Sequence, residues 1–249
     1  MRKFIPTPSS STLELGFFTI HFYALAILLG IFIAVWLTKK RYRALGGDPN
    51  DITDLAFVVV PAGIIGGRIY HVLSSPGDFF GNTGSFLDIF AIWKGGLGIW
   101  GAISLGLAAA WWSFKRNNIS AANSLTFGVF ADALAPGVVV AQAIGRWGNW
   151  FNVELFGRPT TLPWGLEVPM RFRPDGFTEF ATFHPTFIYE SIWCLIVAFL
   201  LLRFEKFRMA PGSIFIAYVA LYSFGRIFIE SLRIDDANLI LGLRLNIWV

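Results

Sequence analysis

Charge is scarce in this sequence. Of 249 residues only 14% are charged and 55% are hydrophobic, with a mean hydropathy of +0.60. Soluble domains carry about a quarter charged residues, so a soluble fold is excluded. Cysteine is scarcer still. The single one, Cys194, lies inside an apolar run. It cannot close an internal disulfide, and in that setting it reads as a packing residue. There is no internal repeat and no low-complexity segment. Pro6, Pro8 and a serine run precede the first apolar stretch, and no small-residue cleavage site follows it. That stretch therefore reads as a retained span rather than a removable signal peptide. The apolar runs also lack the alternation of barrel strands, which excludes a membrane β-barrel.

Long hydrophobic runs fill the rest, with an aromatic excess of 26 Phe and 10 Trp. Six runs approach the about 20 residues needed to span a bilayer: Leu15–Leu37, Leu55–Leu73, Leu97–Phe114, Leu125–Ala143, Thr186–Leu202 and Ser213–Ser231. A short amphipathic piece, Phe86–Trp93, reads as interfacial. The expectation is an all-α, polytopic transmembrane helical bundle with the N-terminus outside. Residues 1–249 form one membrane-embedded domain, with an outward-facing head segment at about 147–184. Basic residues set this orientation. Lys39, Lys40, Arg41 and Arg43, then Lys115 and Arg116, then Arg203, Lys206 and Arg208 occupy alternate loops, which places those loops in the cytoplasm. The net charge of +4 is thereby used for topology, and no nucleic-acid partner is expected. The tail Leu239–Val249 is too short to span, yet reads as the start of a seventh span.

Ionisable side chains inside spans are costly and mark function. Arg68, Asp132, Glu190, Arg226 and Glu230 qualify. A rise of about 1.5 Å per residue puts Arg68 and Arg226 roughly 20 Å from the inner ends of their helices. Tyr23, Tyr189, Glu190 and Arg146 fall in the same outer half of the membrane, and Asp132 lies toward the inner side. Tyr222, Arg226 and Glu230 share one helical face by their i, i+4, i+8 spacing; an intrahelical ion pair is the plainer reading. Arg68 follows Gly66-Gly67, which would let another helix approach closely; a snorkelling arginine is its alternative. His21, His71 and His184 read as interfacial or capping residues.

The densest polar stretch is Gly145-Arg146-Trp147-Gly148-Asn149-Trp150-Phe151-Asn152-Val153-Glu154-Leu155-Phe156-Gly157. It combines a cation, amides, a carboxylate and glycines with tryptophans suited to the headgroup level. Guanidinium forks match phosphate oxygens, so arginines collected at one depth point to an anionic lipid. This pattern alone leaves three readings: a lipid-handling transferase, an anion or lipid transporter using the buried arginines, and a non-catalytic lipid-binding scaffold. The one-sided polar layer favours the enzyme, because alternating access needs routes to both faces.

That stretch resembles the signature segment of the prolipoprotein diacylglyceryl transferase family. The resemblance extends to His21-Phe22-Tyr23, Gly66-Gly67-Arg68, Trp93-Lys94-Gly95-Gly96-Leu97, Asp132, His184-Pro185-Thr186 with Tyr189-Glu190, and Tyr222 with Arg226 and Glu230. It implies a seven-helix enzyme of the bacterial cell membrane, with its site toward the outer leaflet. Its partners would be phosphatidylglycerol and preprolipoprotein signal peptides. The diacylglyceryl group would pass to the lipobox cysteine as a thioether, releasing glycerol phosphate, with no metal or organic cofactor. Carried onto this chain, the resemblance implies catalytic roles for Arg146, Arg226, Tyr222 and Glu230. It implies substrate binding by Arg146, Asn149, Glu154, Gly157, Tyr23 and Arg68. Glu154 fits equally well as an ion-pair partner orienting Arg146. The seventh helix should begin near Leu245, so the chain looks cut short. Where many members carry a third-span histidine, this chain has Trp100, whose indole cannot accept a proton. Either the base lies elsewhere, with Tyr222, Glu230 and His184 as candidates, or the family histidine is not an obligatory base; the base is left unassigned, and the arginines take an electrostatic role.

Overall fold

In the computed structural model, which describes residues 4–16, 18–80, 84–92, 95–116, 125–207, 209–235, 239–240 and 243–244, the first apolar run does not become helical where its hydrophobicity begins. Gly16 sits in a left-handed turn at φ 62°. Strands β1 (Thr12–Leu15) and β2 (Phe18–His21) pair antiparallel around it, Thr12 opposite His21. Helix α1 starts only at Phe22 and runs to Ala44. The start expected at Leu15 is thus corrected, because pairing across a glycine turn takes up residues that hydropathy alone assigns to the span. The later cations Arg41 and Arg43 lie in the last turn of α1.

Five further long helices follow: α2 (Pro49–Ser74), α3 (Ile99–Arg116), α4 (Phe127–Asn152), α5 (Thr186–Phe204) and α6 (Ser213–Leu232). Asp48 caps α2, accepting the Asn50 N–H at 2.8 Å, and Pro49 occupies the first helical position, where its missing N–H costs nothing. Among the described residues, five helices are long and apolar enough to cross a membrane: α1, α2, α4, α5 with its extension to Phe207, and α6. The third expected run does form α3, but Lys115 and Arg116 end its 18 residues and lower its apolarity. The interfacial piece forms a 3-10 helix over Phe86–Phe90; Trp93 and Lys94 lie outside the described residues, as does Leu245. The fourth run overshoots its expected end at Ala143 and stays helical through Asn152, so Arg146 and Asn149 stand on helix rather than loop.

The chain divides into two compact units, residues 39–130 and residues 1–38 with 131–249. In the first, α2 packs on α3 through glycine. A Cβ on Gly66 would lie 2.2 Å from the Gly101 carbonyl oxygen, and one on Gly101 would lie 2.1 Å from that of Gly66, so the two backbones meet at a distance only glycine allows. In the second unit, Ala135, Val139 and Ala143 of α4 pack with Cys194, Val197 and Leu201 of α5 and with Ile214 of α6. Cys194 is wholly buried there, a packing residue as its setting suggested. A smaller core of Val153, Phe156, Leu166, Val168, Phe183 and Phe187 builds the segment between α4 and α5, with β3 (Leu166–Glu167) paired to β4 (Thr182–Phe183).

Candidate functional site

Three helices of the second unit bring their charged residues to one line. Arg146 Nη2 of α4 lies 2.8 Å from Glu190 Oε1 of α5, and Arg226 Nη1 of α6 lies 2.9 Å from the same oxygen. Arg226 Nη2 reaches Glu230 Oε2 at 2.7 Å, Arg233 Nη1 reaches that oxygen at 3.1 Å, and Arg233 Nη2 reaches Asp235 Oδ2 at 2.7 Å. The result is an alternating ladder: Arg146, Glu190, Arg226, Glu230, Arg233, Asp235. Glu230 is fully buried and Glu190 nearly so. Buried charges persist when each is paired and hydrogen-bonded, and this row satisfies that condition with equal numbers of each sign. Tyr222 completes its upper end, accepting from Arg146 Nη2 at 3.3 Å and donating to Glu190 Oε1 at 3.3 Å.

The predicted i, i+4 pair of Arg226 and Glu230 is therefore present, as one rung of something longer. Glu190, marked by its charge inside a span but given no catalytic or binding role, joins the two predicted arginines; Arg233 and Asp235, which the sequence reading does not single out, extend the row. The signal for Glu190 was its charge inside a span, and for Arg233 its position three residues after Glu230. Among the described residues, Arg146 engages only its Nη2 with protein, and Arg226 only its two Nη groups, so both retain N–H donors for an anion.

The signature stretch forms a wall beside this ladder. Glu154 does not pair with Arg146. Its Oε1 accepts from Asn149 Nδ2 at 2.9 Å and from Asn152 Nδ2 at 3.2 Å. The ion-pair reading of Glu154 is thus replaced by an amide-held carboxylate, because Arg146 turns toward α5 instead. Val153 and Leu155, which flank Glu154, adopt left-handed backbone at φ 54° and 57°, strained for side-chain-bearing residues. Further contacts hold that turn: Leu155 O accepts from Thr186 Oγ1, Gly157 N–H donates to His184 O at 2.9 Å, and Arg158 N–H donates to Leu232 O at 2.8 Å. A Cβ on Gly157 would lie 2.9 Å from His184 Cβ and 3.0 Å from Leu232 O. Gly157 is thus the point where the wall, α5 and the end of α6 converge. Tyr23, in the first turn of α1, lays its ring against Gly148 of α4, where a Cβ would come within 2.4 Å.

Arg68 belongs to the other unit. It is buried, and its Nε donates to Ile89 O at 2.8 Å, its Nη1 to Gly95 O at 2.7 Å and Gly96 O at 3.0 Å, and its Nη2 to Asp88 O. It does not snorkel; it fastens the segment leading into α3. Contact with a substrate would require releasing that segment. Trp100 stands half-buried in the first turn of α3. His184, just before α5, has its pKa pushed below the usual 6.5 by burial. Its Nδ1 lies 3.0 Å from the Tyr189 hydroxyl, which accepts from Trp164 Nε1 at 3.1 Å.

Fold and site together define a helical membrane protein with half-buried arginines whose remaining donors suit an anion. The chain belongs to the prolipoprotein diacylglyceryl transferase family, whose sequence profile matches residues 10–249. It is similar to phosphatidylglycerol–prolipoprotein diacylglyceryl transferase 2 of Streptomyces coelicolor, 50% identical over 246 residues, 98% of this chain and 76% of that protein. The corresponding transferase of Frankia alni is 51% identical over 245 residues, 98% of this chain and 63% of its own length. That of Cutibacterium acnes is 50% identical over 243 residues, 97% of this chain and 80% of its own length.

Proposed function

We propose that this chain transfers the diacylglyceryl group of phosphatidylglycerol to the lipobox cysteine of preprolipoprotein signal peptides. The observation that carries this reading is the convergence of Arg146 and Arg226 on one carboxylate oxygen, in a chain that belongs to this family. The lipid phosphate takes the remaining guanidinium donors, in a fork geometry that suits phosphate oxygens. The cysteine sulfur bonds to the glyceryl carbon that bears the phosphate. The carbon–oxygen bond breaks with its electron pair, and glycerol phosphate leaves; the thiol proton passes to water or to that leaving group. Charge grows on the leaving oxygen as the bond breaks, and fixed cations in a water-poor site stabilise it most strongly at that moment.

The reaction takes place at the outer leaflet of a bacterial cell membrane, with the N-terminus outside. Supporting this orientation, Arg41 and Arg43 end α1, Lys115 and Arg116 end α3, and Arg203 ends α5, one basic end on each alternate helix. Tyr222 and Glu230 act within the ladder. Asn149, Glu154 and Gly157 shape the headgroup wall, with Tyr23 against it. The transporter alternative finds no support in the relatives, which are named as transferases.

The test is direct. The protein in phosphatidylglycerol vesicles is incubated with a lipobox peptide, and the peptide is weighed by mass spectrometry. The expected product is the peptide carrying one diacylglyceryl group in a hydroxylamine-stable thioether. Binding of lipid and peptide without that mass increase would sink the proposal.

A further inference from the structure

The first turn of α6 is capped by a residue of another helix. Gly212, which precedes α6, has no side chain to accept from the backbone donors of the first turn. Asp132 of α4 does so instead: its Oδ2 accepts the Gly212 N–H at 2.7 Å and its Oδ1 accepts the Phe215 N–H at 2.9 Å. The carboxylate thus takes two donors at the positive end of a helix, where an anion is favoured. Asp132 is buried.

Its position relative to the charged ladder is the telling part. From Asp132 to Arg146 is 146 − 132 = 14 residues of α4, and from Gly212 to Arg226 is 226 − 212 = 14 residues along α6. At about 1.5 Å per residue, both distances are about 21 Å. The two helices leave the Asp132 contact side by side in the same direction, and their arginines arrive together at Glu190. Between these levels α4 offers Ala135, Val139 and Ala143 to the shared core. Apolar contact is non-directional, so this surface holds the helices together without specifying their axial offset. Hydrogen bonds do specify it. Ser191 Oγ donates to Ala143 O at 2.9 Å and ties α5 to α4; Trp193 Nε1 donates to Leu221 O at 2.9 Å and ties α6 to α5 at the upper level. Asp132 ties α6 to α4 at the lower level.

We propose that Asp132 is a positioning residue that sets the axial register and tilt of α6 against α4, and thereby the meeting of Arg146 and Arg226 on Glu190. With the lower tie removed, α6 pivots about the Trp193 contact and Arg226 moves off the Glu190 oxygen. A slip of one residue's rise, about 1.5 Å, lengthens and tilts a 2.9 Å contact, and a slip of two residues' rise takes it beyond hydrogen-bonding range. The consequence for turnover rests on the transferase reading above; the register does not.

The test compares Asp132→Glu with Asp132→Ala in the full chain. Glutamate keeps a carboxylate for the α6 amides but is one methylene longer, so it caps in a displaced register. Three readouts are taken: thermal midpoint, transfer to a lipobox peptide, and the pulsed-dipolar distance between spin labels at Trp147→Cys and Ser231→Cys. The glutamate variant is expected to hold its midpoint near the parent's yet lose at least 10-fold in turnover number. The alanine variant is expected to lose both, and the label distance to shift or broaden in each. Recovery of both midpoint and turnover by glutamate would reduce Asp132 to a cap and overturn the inference. An unchanged distance in both variants overturns it whatever happens to the rate. If the parent itself transfers nothing, the proposed function fails and the distance decides the register alone.

Discussion

Arg146 and Arg226 share one acceptor, Glu190 Oε1, at 2.8 and 2.9 Å. Two guanidinium groups held this near repel one another, and the carboxylate between them keeps them in place. Glu190→Gln preserves the shape and removes the charge. Breaking a buried pair from one side costs about 3–5 kcal/mol, so a clear fall in thermal midpoint is expected, together with at least a tenfold loss of transfer rate. A variant that melts and turns over like the parent would show that Glu190 does not hold the arginines.

Arg146 makes a second, separable prediction. Arg146→Ala removes a cation from the proposed leaving-group site, and the transfer rate should fall by about 100-fold or more. Arg146→Lys should recover only part of that, because an ammonium lacks the planar fork that bonds Glu190 and a phosphate together. Full recovery by lysine in a mass-resolved transfer assay would reduce the role of Arg146 to charge alone.

At Gly157 the prediction is steric. Gly157→Ala drives a methyl group against His184 and Leu232, and overpacking of this kind costs about 1–3 kcal/mol. Activity should be lost as the wall separates from α5 and the end of α6. Gly145→Ala is the control. Nothing lies within 4 Å of the added carbon there, and alanine is the better helix former by about 1 kcal/mol. Its melting temperature should hold or rise with activity intact. Equal behaviour of the two variants would remove the three-way junction from the account.

Arg68 and its carbonyl partners predict a local effect. Arg68→Lys cannot supply donors to the carbonyls of Asp88, Ile89, Gly95 and Gly96 at once, so amide hydrogen exchange across the described residues 88–92 and 95–98 should quicken by about tenfold or more. If exchange stays slow while the phosphatidylglycerol KM rises, Arg68 contacts lipid instead of the backbone.

The pH dependence of stability has a sign fixed by His184. Burial lowers its pKa below 6.5, so the unfolded chain binds its proton more readily than the folded one. The stability this neutral imidazole contributes is present above the ordinary histidine value and is lost as pH falls through the lowered one. On acidification from about pH 7.5 to about pH 5, the thermal midpoint of the parent should drop more than that of His184→Gln. Parallel curves would mean that His184 titrates alike in both states.

What could be read from the sequence was whatever periodicity or depth encodes. The helical runs, the Arg226–Glu230 pair and the close approach at Gly66-Gly67 follow from spacing along single elements. The β1–β2 hairpin was hidden because Leu15, Phe18 and Ile20 are as apolar as span residues, while pairing across Gly16 decides their fate. The continuation of α4 through Gly145 and Gly148 was hidden for the converse reason: glycine and polar density mimic a loop until Tyr23 is seen packed against Gly148. Glu190 was visible as a buried carboxylate. That it gathers arginines from two other helices depends on which way α5 faces, and no local pattern carries that.

The alternating ladder bears on how the site empties. With as many carboxylates as arginines, it has no standing excess of positive charge to hold a product. Phosphatidylglycerol brings a single negative charge, and glycerol phosphate carries more once its ester bond to the lipid is broken. In the proposed reaction the departing group has lost the acyl chains that anchored it in the bilayer, so hydrogen bonds to the guanidinium groups are all that holds it. Glu190 keeps Arg146 and Arg226 paired through other donors, so on this reading the site is ready for the next lipid without rebuilding the contacts that align its cations.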